Sequence, residues 1–225
     1  MKMEQIIKLQ LALFFESYQM RPDNLIQTIN SDMGNLFDAM PQIIPMPEDA
    51  PLDIPRVQLR SENNRYNCNI APSRIDFIMN GNGNNESTWG QLTNDFLAKI
   101  RLFLRSVNTR VGIVRFGLIG NFFVPDNANS ASITRKYLKI DLNSAEEINL
   151  RFNKRNSSHG LNLNNITSIN TAIAEVNNVT SNGVFIELDI NNVPEHRRLD
   201  IENLIELVGK QLPNFSPDKV KGLVK

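Results

Sequence analysis

The chain has few of the side chains that most often perform catalysis, since its 225 residues include 2 histidines and 1 cysteine. The single cysteine, Cys68, excludes an intramolecular disulfide and any zinc site built from several cysteines. The histidines, His159 and His196, lack the spacing of a metal-binding pair, and we interpret both as surface residues. We interpret Cys68 as a buried structural thiol. These scarcities favour a protein that is not an enzyme, and we expect neither a cofactor nor a metal ion.

An excess of charge of one sign is also missing, because 24 basic residues balance 24 acidic residues. No whole-protein field therefore attracts nucleic acid or an anionic membrane. The apolar run at residues 6–15 contains Lys8 and Gln10 and falls short of the roughly 18 residues of a membrane span. No small-residue cleavage site follows it, as one would in a signal peptide. The sequence predicts a cytoplasmic protein without a membrane partner.

Asparagine is what the chain has in abundance, with 31 residues. Its amide forms hydrogen bonds, but it has no useful pKa and is a poor nucleophile. Several asparagines lie in predicted turns, such as Asn63, Asn64 and the segment 80–85, where residues that tolerate positive φ are favoured. That segment lacks the Lys-Ser/Thr of a phosphate-binding loop, so we interpret it as a plain strand-to-helix turn. The composition is typical of an AT-rich genome and favours a bacterial or phage origin.

The first half of the chain, residues 1–124, is predicted to have the order β-α-β-β-α-β. Alternating apolar residues in the first segment indicate a strand, and Ser87 or Thr88 is placed to cap the second helix. The prolines between residues 40 and 55 indicate an extended connection. The predicted elements are a strand at 6–17, a helix at 22–38, strands at 56–61 and 65–80, a helix ending near 107, and a strand at 110–124. This order is that of the ferredoxin-like, split βαβ fold.

The second half, residues 133–225, follows a loop at 125–130 and is predicted to be an antiparallel meander closed by a C-terminal helix. Ser181, Asn182 and Gly183 form a hairpin signal between its last two strands. The predicted elements are strands at 134–142, 146–154, 166–178 and 184–190, and a helix at 199–212. The whole chain is therefore predicted to be an α+β protein. Its halves are expected either as two domains or as one compact unit.

The stretch Arg110-Val-Gly-Ile-Val-Arg115-Phe-Gly-Leu-Ile-Gly-Asn121 places two arginines and three glycines on a predicted strand. Together with the β-α-Pro-rich-β-β-α-β order, it resembles a sporadically distributed family of bacterial hypothetical α+β proteins of unknown function. In that family a strand of similar type precedes a second β-rich half. The layout covers most of the chain, and the motif covers residues 110–121, whose Arg/Gly spacing departs from the family's. The resemblance implies the fold and no activity.

A basic segment between residues 134 and 155 is the candidate binding site. With Tyr137 and Phe152 nearby, paired strands would gather its cations on one face, as in sheets that bind RNA or single-stranded nucleic acid. The sequence favours a solvated face, partly self-paired with Asp141, Glu146 and Glu147, over such a binding face. The candidate nucleic-acid-binding residues are Arg135, Lys136, Lys139, Arg151, Lys154 and Arg155.

The leading functional hypothesis is a non-enzymatic protein-interaction module, because the charge is balanced and no catalytic motif is present. If the Gly-bearing strand at 110–124 lies at a sheet edge, it would pair with a protein partner or with a second copy in a homodimer. Nucleic-acid association through residues 134–155 is the alternative. A third hypothesis is an enzyme that uses arginine and carboxylates. A pocket combining Arg110 or Arg115 with a carboxylate would favour it, whereas Glu187 and Asp189 alone are typical of an exposed strand face.

Overall fold

The computed structural model describes residues 6–15, 21–47, 49–81, 88–140, 145–176, 179–195 and 197–224. Its main element is an antiparallel sheet of nine strands in the order β2-β3-β4-β5-β1-β6-β9-β8-β7. The strands are β1 (Ile6–Phe15), β2 (Gln42–Ile43), β3 (Val57–Arg60), β4 (Tyr66–Ile70), β5 (Arg74–Asn80), β6 (Ile113–Pro125), β7 (Asn149–Ser158), β8 (Leu161–Val176) and β9 (Val179–Asn192).

Helices accompany this sheet, so the α+β class predicted from the sequence is confirmed. Within the described residues they are α1 (Ile26–Asp32), α2 (Trp89–Asn108), α3 (Asn129–Ile133), α4 (Ile201–Gln211) and α5 (Pro217–Lys221). A 3-10 turn at Pro22–Leu25 precedes α1, a π-helical turn at Thr134–Leu138 follows α3, and a 3-10 turn at Leu212–Phe215 links α4 to α5. The long helices α2 and α4 pack against each other.

One face of the sheet is apolar and packs against the helices. Side chains alternate between the two faces of a strand, and the cross-strand neighbours Leu11, Phe77 and Leu118 all point to this side. We call it the apolar face. Phe77 is fully buried there, with the rings of Phe96 and Phe103 at 6.0 and 5.3 Å from its own. Helix α2 is therefore held to the sheet by an aromatic cluster.

The second face of the sheet carries mainly polar side chains, and we call it the polar face. One row across its central strands consists of Asp76, Ala12, Gly117, Asn191 and Asn164. Three of these side chains are almost completely buried, with Ala12 1%, Asp76 6% and Asn191 3% exposed. Buried polar groups require hydrogen-bond partners, so this face must contain an internal network.

Helix α2 begins where the sequence signal placed a cap. Thr88 is the N-cap residue, and its side chain accepts a hydrogen bond from the backbone N–H of Gln91. The Gln91 side chain accepts from the backbone N–H of Thr88 in return, at 2.8 Å. This reciprocal pair is a capping box, which satisfies two donors that the first helical turn leaves without partners. The prediction that Ser87 or Thr88 caps this helix is therefore confirmed for Thr88.

The sheet is continuous across the predicted division of the chain at residues 124–133. Residues 117–125 of β6 pair with residues 183–191 of β9, and buried side chains from both halves form one cluster. Asn192 lies just beyond this ladder and is fully buried. Its side-chain amide makes the hydrogen bonds to β6 that the backbone of β9 would otherwise make. Its Oδ1 accepts from the N–H of Phe116 at 2.8 Å, and its Nδ2 donates to the carbonyl of Val114 at 3.3 Å. The division into 1–124 and 133–225 stays a prediction.

Three predicted elements are wrong. The strand predicted at 134–142 is helical over Thr134–Leu138, because Ile133 and Tyr137 pack inward at helical spacing beside the sheet. The predicted hairpin turn at 181–183 lies inside β9, where Gly183 pairs with Ala172. The single strand predicted at 65–80 is a hairpin of β4 and β5, interrupted at Pro72, which cannot donate to a ladder.

The strand predicted at 110–124 does not lie at a sheet edge, where the interaction hypothesis required it. As β6 it lies between β1 and β9 and pairs with both, so it offers no free edge. The free edges of the sheet in the described chain are β2 and β7. The condition that β6 lies at an edge is therefore wrong.

Candidate functional site

The candidate nucleic-acid-binding residues 135–139 lie on a helical turn instead of a strand. Arg135 and Lys139 line a cleft of about 350 Å³, and Lys139 has a left-handed backbone with φ of 55°. Lys136 reaches the C-terminal segment, where its Nζ donates to the carbonyl of Gly222 at 2.5 Å. The turn is also held there by Tyr137, whose hydroxyl donates to the carbonyl of Leu223 at 2.8 Å. This part of the basic segment therefore covers one end of the apolar face.

The other three candidate residues lie on β7 but point to opposite faces of it. Arg151 pairs with Ser168 and Arg155 with Asn164, which places both arginines on the polar face. Lys154 alternates with them and lies on the apolar face, 5.9 Å from the centre of the Phe152 ring. The predicted gathering of the segment's cations on a single sheet face is therefore not observed.

Strand β7 is the long edge of the sheet. It has ten residues and pairs only with β8 among the described residues. Its hairpin turn has positive φ at His159 and Gly160, 52° and 70°, as in a type I′ turn, so Ser158 and Leu161 form a hydrogen-bonded pair. Because such pairs alternate along an antiparallel ladder, the even-numbered residues of β7 bond to β8. The N–H and C=O groups of the odd-numbered residues 149–157 point outward.

The side chains of β7 are exposed and carry charge of one sign. Seven of its ten residues are exposed and the other three are partly exposed. The segment Asn149–Ser158 contains Arg151, Lys154 and Arg155 but no acidic residue. An unpaired edge with cations either discourages self-association or selects a partner of opposite charge. Its length and exposure make the outer edge of β7 the candidate interaction site.

The polar face contains a buried hydrogen-bond network on β1 and β5. The side chain of Gln10 donates to Asp76 Oδ1 at 3.0 Å, and Arg74 Nε donates to the same oxygen at 2.9 Å. Burial raises the pKa of the Asp76 carboxyl, an effect that the Arg74 guanidinium opposes. The ring of Phe14 lies between Arg74 and Arg115, whose guanidinium carbons are 5.0 and 5.1 Å from its centre.

A second polar cluster lies on the same face, on β8 and β9. Asn164 donates to Asn191 at 3.1 Å, and Asn191 donates to Asp189 Oδ2 at 3.0 Å. The other oxygen, Asp189 Oδ1, is buried without a hydrogen-bond partner in the described chain, as is Arg115 Nε. Burial raises the pKa of Asp189, and Glu187 on the same strand face raises it further. Perturbed carboxylates occur at functional sites and in structural networks alike.

The two arginines singled out by the enzyme hypothesis have different surroundings. Arg110 forms an ion pair with Asp32 at 3.1 Å and hydrogen-bonds to Ser106 and Thr109 beside α2. Arg115 lies on the polar face near Asp189, close enough to oppose the rise in the pKa of that carboxyl. No ion pair joins Arg115 to a carboxylate within the described residues. Arg115 and Asp189 therefore lie close together but form no ion pair.

A groove of about 510 Å³ lies between the apolar face of β7–β9 and the C-terminal segment. We call it the C-terminal groove. Its apolar lining comes from Leu188 and Ile190 on β9 and from Leu223. Two lysines line the groove from different elements, Lys154 from β7 and Lys219 from α5. The remaining lining is provided by Arg155, Asn156, Asn165, Ile166, Thr167 and Asn214.

The residues that most often bind metals are dispersed. His159 lies in the β7–β8 turn, with its Nε2 at 3.9 Å from Glu206, and His196 lies outside the described residues. Cys68 is fully buried on β4, and burial raises the pKa of its thiol well above the ordinary range. In the described parts of the chain, no three His, Cys, Asp or Glu residues are grouped so that they could hold a metal ion.

The sequence interpretation missed the polar face. Its buried members Gln10 and Asp76 stand within apolar strand runs, and a lone polar residue in such a run is a signal of a buried partner. Asp76, between Ile75 and Phe77, was the clearest case. The order of strands in the sheet decides which polar residues lie side by side. Residue spacing in the sequence does not reveal that order.

Comparison with known proteins adds little to this geometry. No protein-family model and no curated protein sequence matches the chain. Among solved structures, the chain is similar to the di-domain ARO/CYC StfQ from the steffimycin biosynthetic pathway, with 8% sequence identity, 97% of each chain covered and a TM-score of 0.23. None of the described helices is long and apolar enough to cross a membrane.

Proposed function

We propose that this protein is a protein-interaction module that binds an extended segment of a partner protein along the outer edge of β7. The partner segment adds a tenth strand to the sheet, and its backbone groups pair with those of the odd-numbered residues 149–157. Main-chain hydrogen bonds give such complexes their affinity, and side chains that flank the edge give them specificity. The single observation that supports this proposal most is the ten-residue length of the edge.

The opposite edge of the sheet is a poor alternative for strand addition. Strand β2 has two residues, Gln42 and Ile43, and offers at most one or two hydrogen bonds. Natural proteins often keep an exposed edge short in this way. The contrast between the two edges favours β7 as the one that has a binding role.

Charge decides which partner fits this edge. Arg151 and Arg155 flank the edge on the polar face and Lys154 on the apolar face, so the partner segment carries acidic side chains. A second copy of this chain fits less well. The antiparallel register that pairs all of residues 149–157 with their counterparts places Arg151 opposite Arg155 of the other copy, and like charges directly opposite are destabilising.

The test isolates one backbone donor of the outer edge. Asn153→Pro removes an outward N–H and leaves the β8 ladder intact, since proline is tolerated on an edge strand. Asn153→Ala is the matched control, because it also removes the side-chain hydrogen bond to Asn164 but keeps the N–H. Affinity capture from the native host, followed by mass spectrometry, is expected to recover a protein with an acidic extended segment. Wild type and Asn153→Ala retain it, and Asn153→Pro loses it.

Two results would oppose the proposal. Equal capture by Asn153→Pro would show that the partner does not pair with this edge. Dimerisation of the chain itself through β7, measured by sedimentation and abolished by Asn153→Pro, would make a second copy the occupant.

The alternative proposal is a nucleic-acid-associated protein. It is supported by Arg151 and Arg155, which lie on one face of β7 and form no ion pair among the described residues. Arg151 does lie near enough to Asp189 to oppose the rise in the pKa of that carboxyl. Charge reversal of both is then expected to abolish retention on single-stranded nucleic acid at low salt. Absence of retention by the unmodified protein would end this alternative.

We also infer that the first half has the ferredoxin-like arrangement. The support is topological: β1, α1, β4, β5, α2 and β6 follow one another in the chain, and their strands have the order β4-β5-β1-β6. In this interpretation β2 and β3 are additions at one edge. An experimental structure in which β6 does not lie beside β1 would contradict it.

A further inference from the structure

We propose that the C-terminal groove binds a small molecule that has an anionic head, a carboxylate or a phosphate, on an apolar body. This site borders β7 through Lys154, Arg155 and Asn156, but it uses side chains on the apolar side of the sheet and not the outward backbone groups of the edge. It therefore goes beyond the proposed protein interaction. Its volume of about 510 Å³ is within the range of roughly 300–1,000 Å³ that small-molecule sites have.

The charge around the groove selects an anion. Its lining includes Lys154 and Lys219 and no acidic residue. Arg155 also borders the groove, but its side chain lies on the polar face. Neither lysine forms an ion pair within the described residues. Two cations without counterions near one concave site repel each other, and an anionic ligand relieves this repulsion.

The apolar lining selects the body of the ligand. Leu188 and Ile190 from β9 and Leu223 near the C-terminus face the same space. Burying apolar ligand surface against them is favourable by about 25 cal/mol per Å² before the costs of association are subtracted. The combination of an apolar lining and cations is typical of a site for an amphiphilic anion and not for a free inorganic ion.

One cation is held in position by a neighbouring amide. Lys219 Nζ donates to Asn214 Oδ1 at 2.8 Å, and Asn214 Nδ2 donates to Gln211 Oε1 at 2.7 Å. On the opposite side, Asn165 donates to the carbonyl of Lys154 at 3.1 Å. Such second contacts reduce the conformational freedom that the binding groups lose when a ligand is bound. Asn214 is therefore a positioning residue for Lys219.

The first experiment compares probes that share an apolar chain and differ in charge. Decanoate, decyl phosphate and decyltrimethylammonium are titrated below their micelle concentrations, and the methyl NMR signals of Leu188, Ile190 and Leu223 are followed. The anionic probes are expected to shift these signals saturably, and the cationic probe is expected to bind at least about tenfold more weakly. The stronger of the two anions identifies the head group, carboxylate or phosphate.

The second experiment uses variants that keep the aliphatic stem and remove the charge. Lys154→Met and Lys219→Met are each expected to weaken binding of the better anion about tenfold, the loss of one charge-assisted hydrogen bond. Lys210→Met, an exposed residue of α4 that does not line the groove, is the control and leaves the affinity unchanged. Asn153→Pro also leaves it unchanged, which separates this site from the proposed protein interaction.

Three outcomes would overturn the inference. Equal binding of the cationic and anionic probes would mean that the lysines do not select the ligand. Unchanged affinity in Lys154→Met and Lys219→Met would place the anion elsewhere. Methyl shifts that spread over the molecule without saturating would show nonspecific partitioning of the probes.

Discussion

Replacement of Asn192 by alanine tests whether a side-chain amide satisfies buried backbone donors and acceptors at the end of the β6–β9 ladder. Asn192 is fully buried, and its amide replaces a backbone pair between β6 and β9 just beyond the end of their ladder. It accepts from the N–H of Phe116 at 2.8 Å and donates to the carbonyls of Val114 and Val193 at 3.3 and 3.2 Å. Alanine removes these bonds and leaves the backbone groups without partners.

The size of the effect follows from the number of groups left unsatisfied. Each buried donor or acceptor without a partner costs roughly 1–3 kcal/mol. Phe116 N–H and Val114 C=O both depend on this amide, so Asn192→Ala is expected to lower the free energy of unfolding by about 2–6 kcal/mol. This is a large part of the roughly 5–15 kcal/mol that stabilises a typical domain.

Urea unfolding followed by circular dichroism measures the change, provided that the m-value is the same for both proteins. Asn156→Ala is the matched control, since Asn156 is an exposed asparagine on the edge strand, and its substitution is expected to cost less than about 0.5 kcal/mol. If Asn192→Ala loses no more stability than the control, the idea that this amide replaces a backbone pair is refuted.

Further predictions concern packing, titration and thiol reactivity. Gly120→Ala would place Cβ 2.4 Å from Phe215 Cδ1 and is expected to cost about 1–3 kcal/mol in urea unfolding. Gly90→Ala is expected to cost much less, because its Cβ would meet only Thr88 Oγ1, at 4.0 Å. Because burial raises the pKa of Asp189, the folded state binds its proton more tightly and stability falls as the pH rises above the ordinary carboxyl pKa. Asp189→Asn is therefore expected to melt higher than wild type at pH 7 and to lose this advantage below about pH 4; the opposite order would contradict the prediction. Cys68, fully buried with a raised pKa, is expected to react with a thiol reagent only after unfolding, and fast reaction of the native protein would be inconsistent with its position.

The elements with a strong local signal could be predicted from the sequence. Strand β1 follows the alternation of Leu9, Leu11 and Leu13, which are all fully buried. Helix α2 follows the cap at Thr88 and an apolar stripe that includes Phe96. In these segments the local pattern and the tertiary environment favour the same structure, so the prediction needed no information about neighbouring strands.

Predictions failed where local patterns were ambiguous. Around Tyr137 an alternation of apolar and charged residues indicated a strand, but contacts with Leu223 and Phe152 favour a helical turn. At Gly183 a turn-forming sequence lies within β9, because β8 supplies a partner at Ala172. Tertiary contacts outweigh intrinsic preferences of the order of 1 kcal/mol in such segments.

The candidate site depended on strand order and could not be found from the sequence. The basic residues of β7 were recognised, but their division between two faces follows from the register with β8. That β7 is an edge and β6 an interior strand depends on the pairing of β6 with β9. The paired residues lie 58 to 74 positions apart in the chain, from Pro125 with Gly183 to Gly117 with Asn191. Long-range pairing of this kind has no local signature.

Residue-resolved amide hydrogen exchange of β7 tests whether the outer edge of this strand is free to bind a partner. In the free protein, we expect slow exchange at Leu150, Phe152 and Lys154, whose N–H groups point to β8, and fast exchange at Arg151, Asn153 and Arg155. When the captured partner is added, the odd-numbered amides become protected. Uniformly slow exchange along β7 in the free monomer, or a bound partner that leaves the odd-numbered amides unprotected, would contradict binding at this edge.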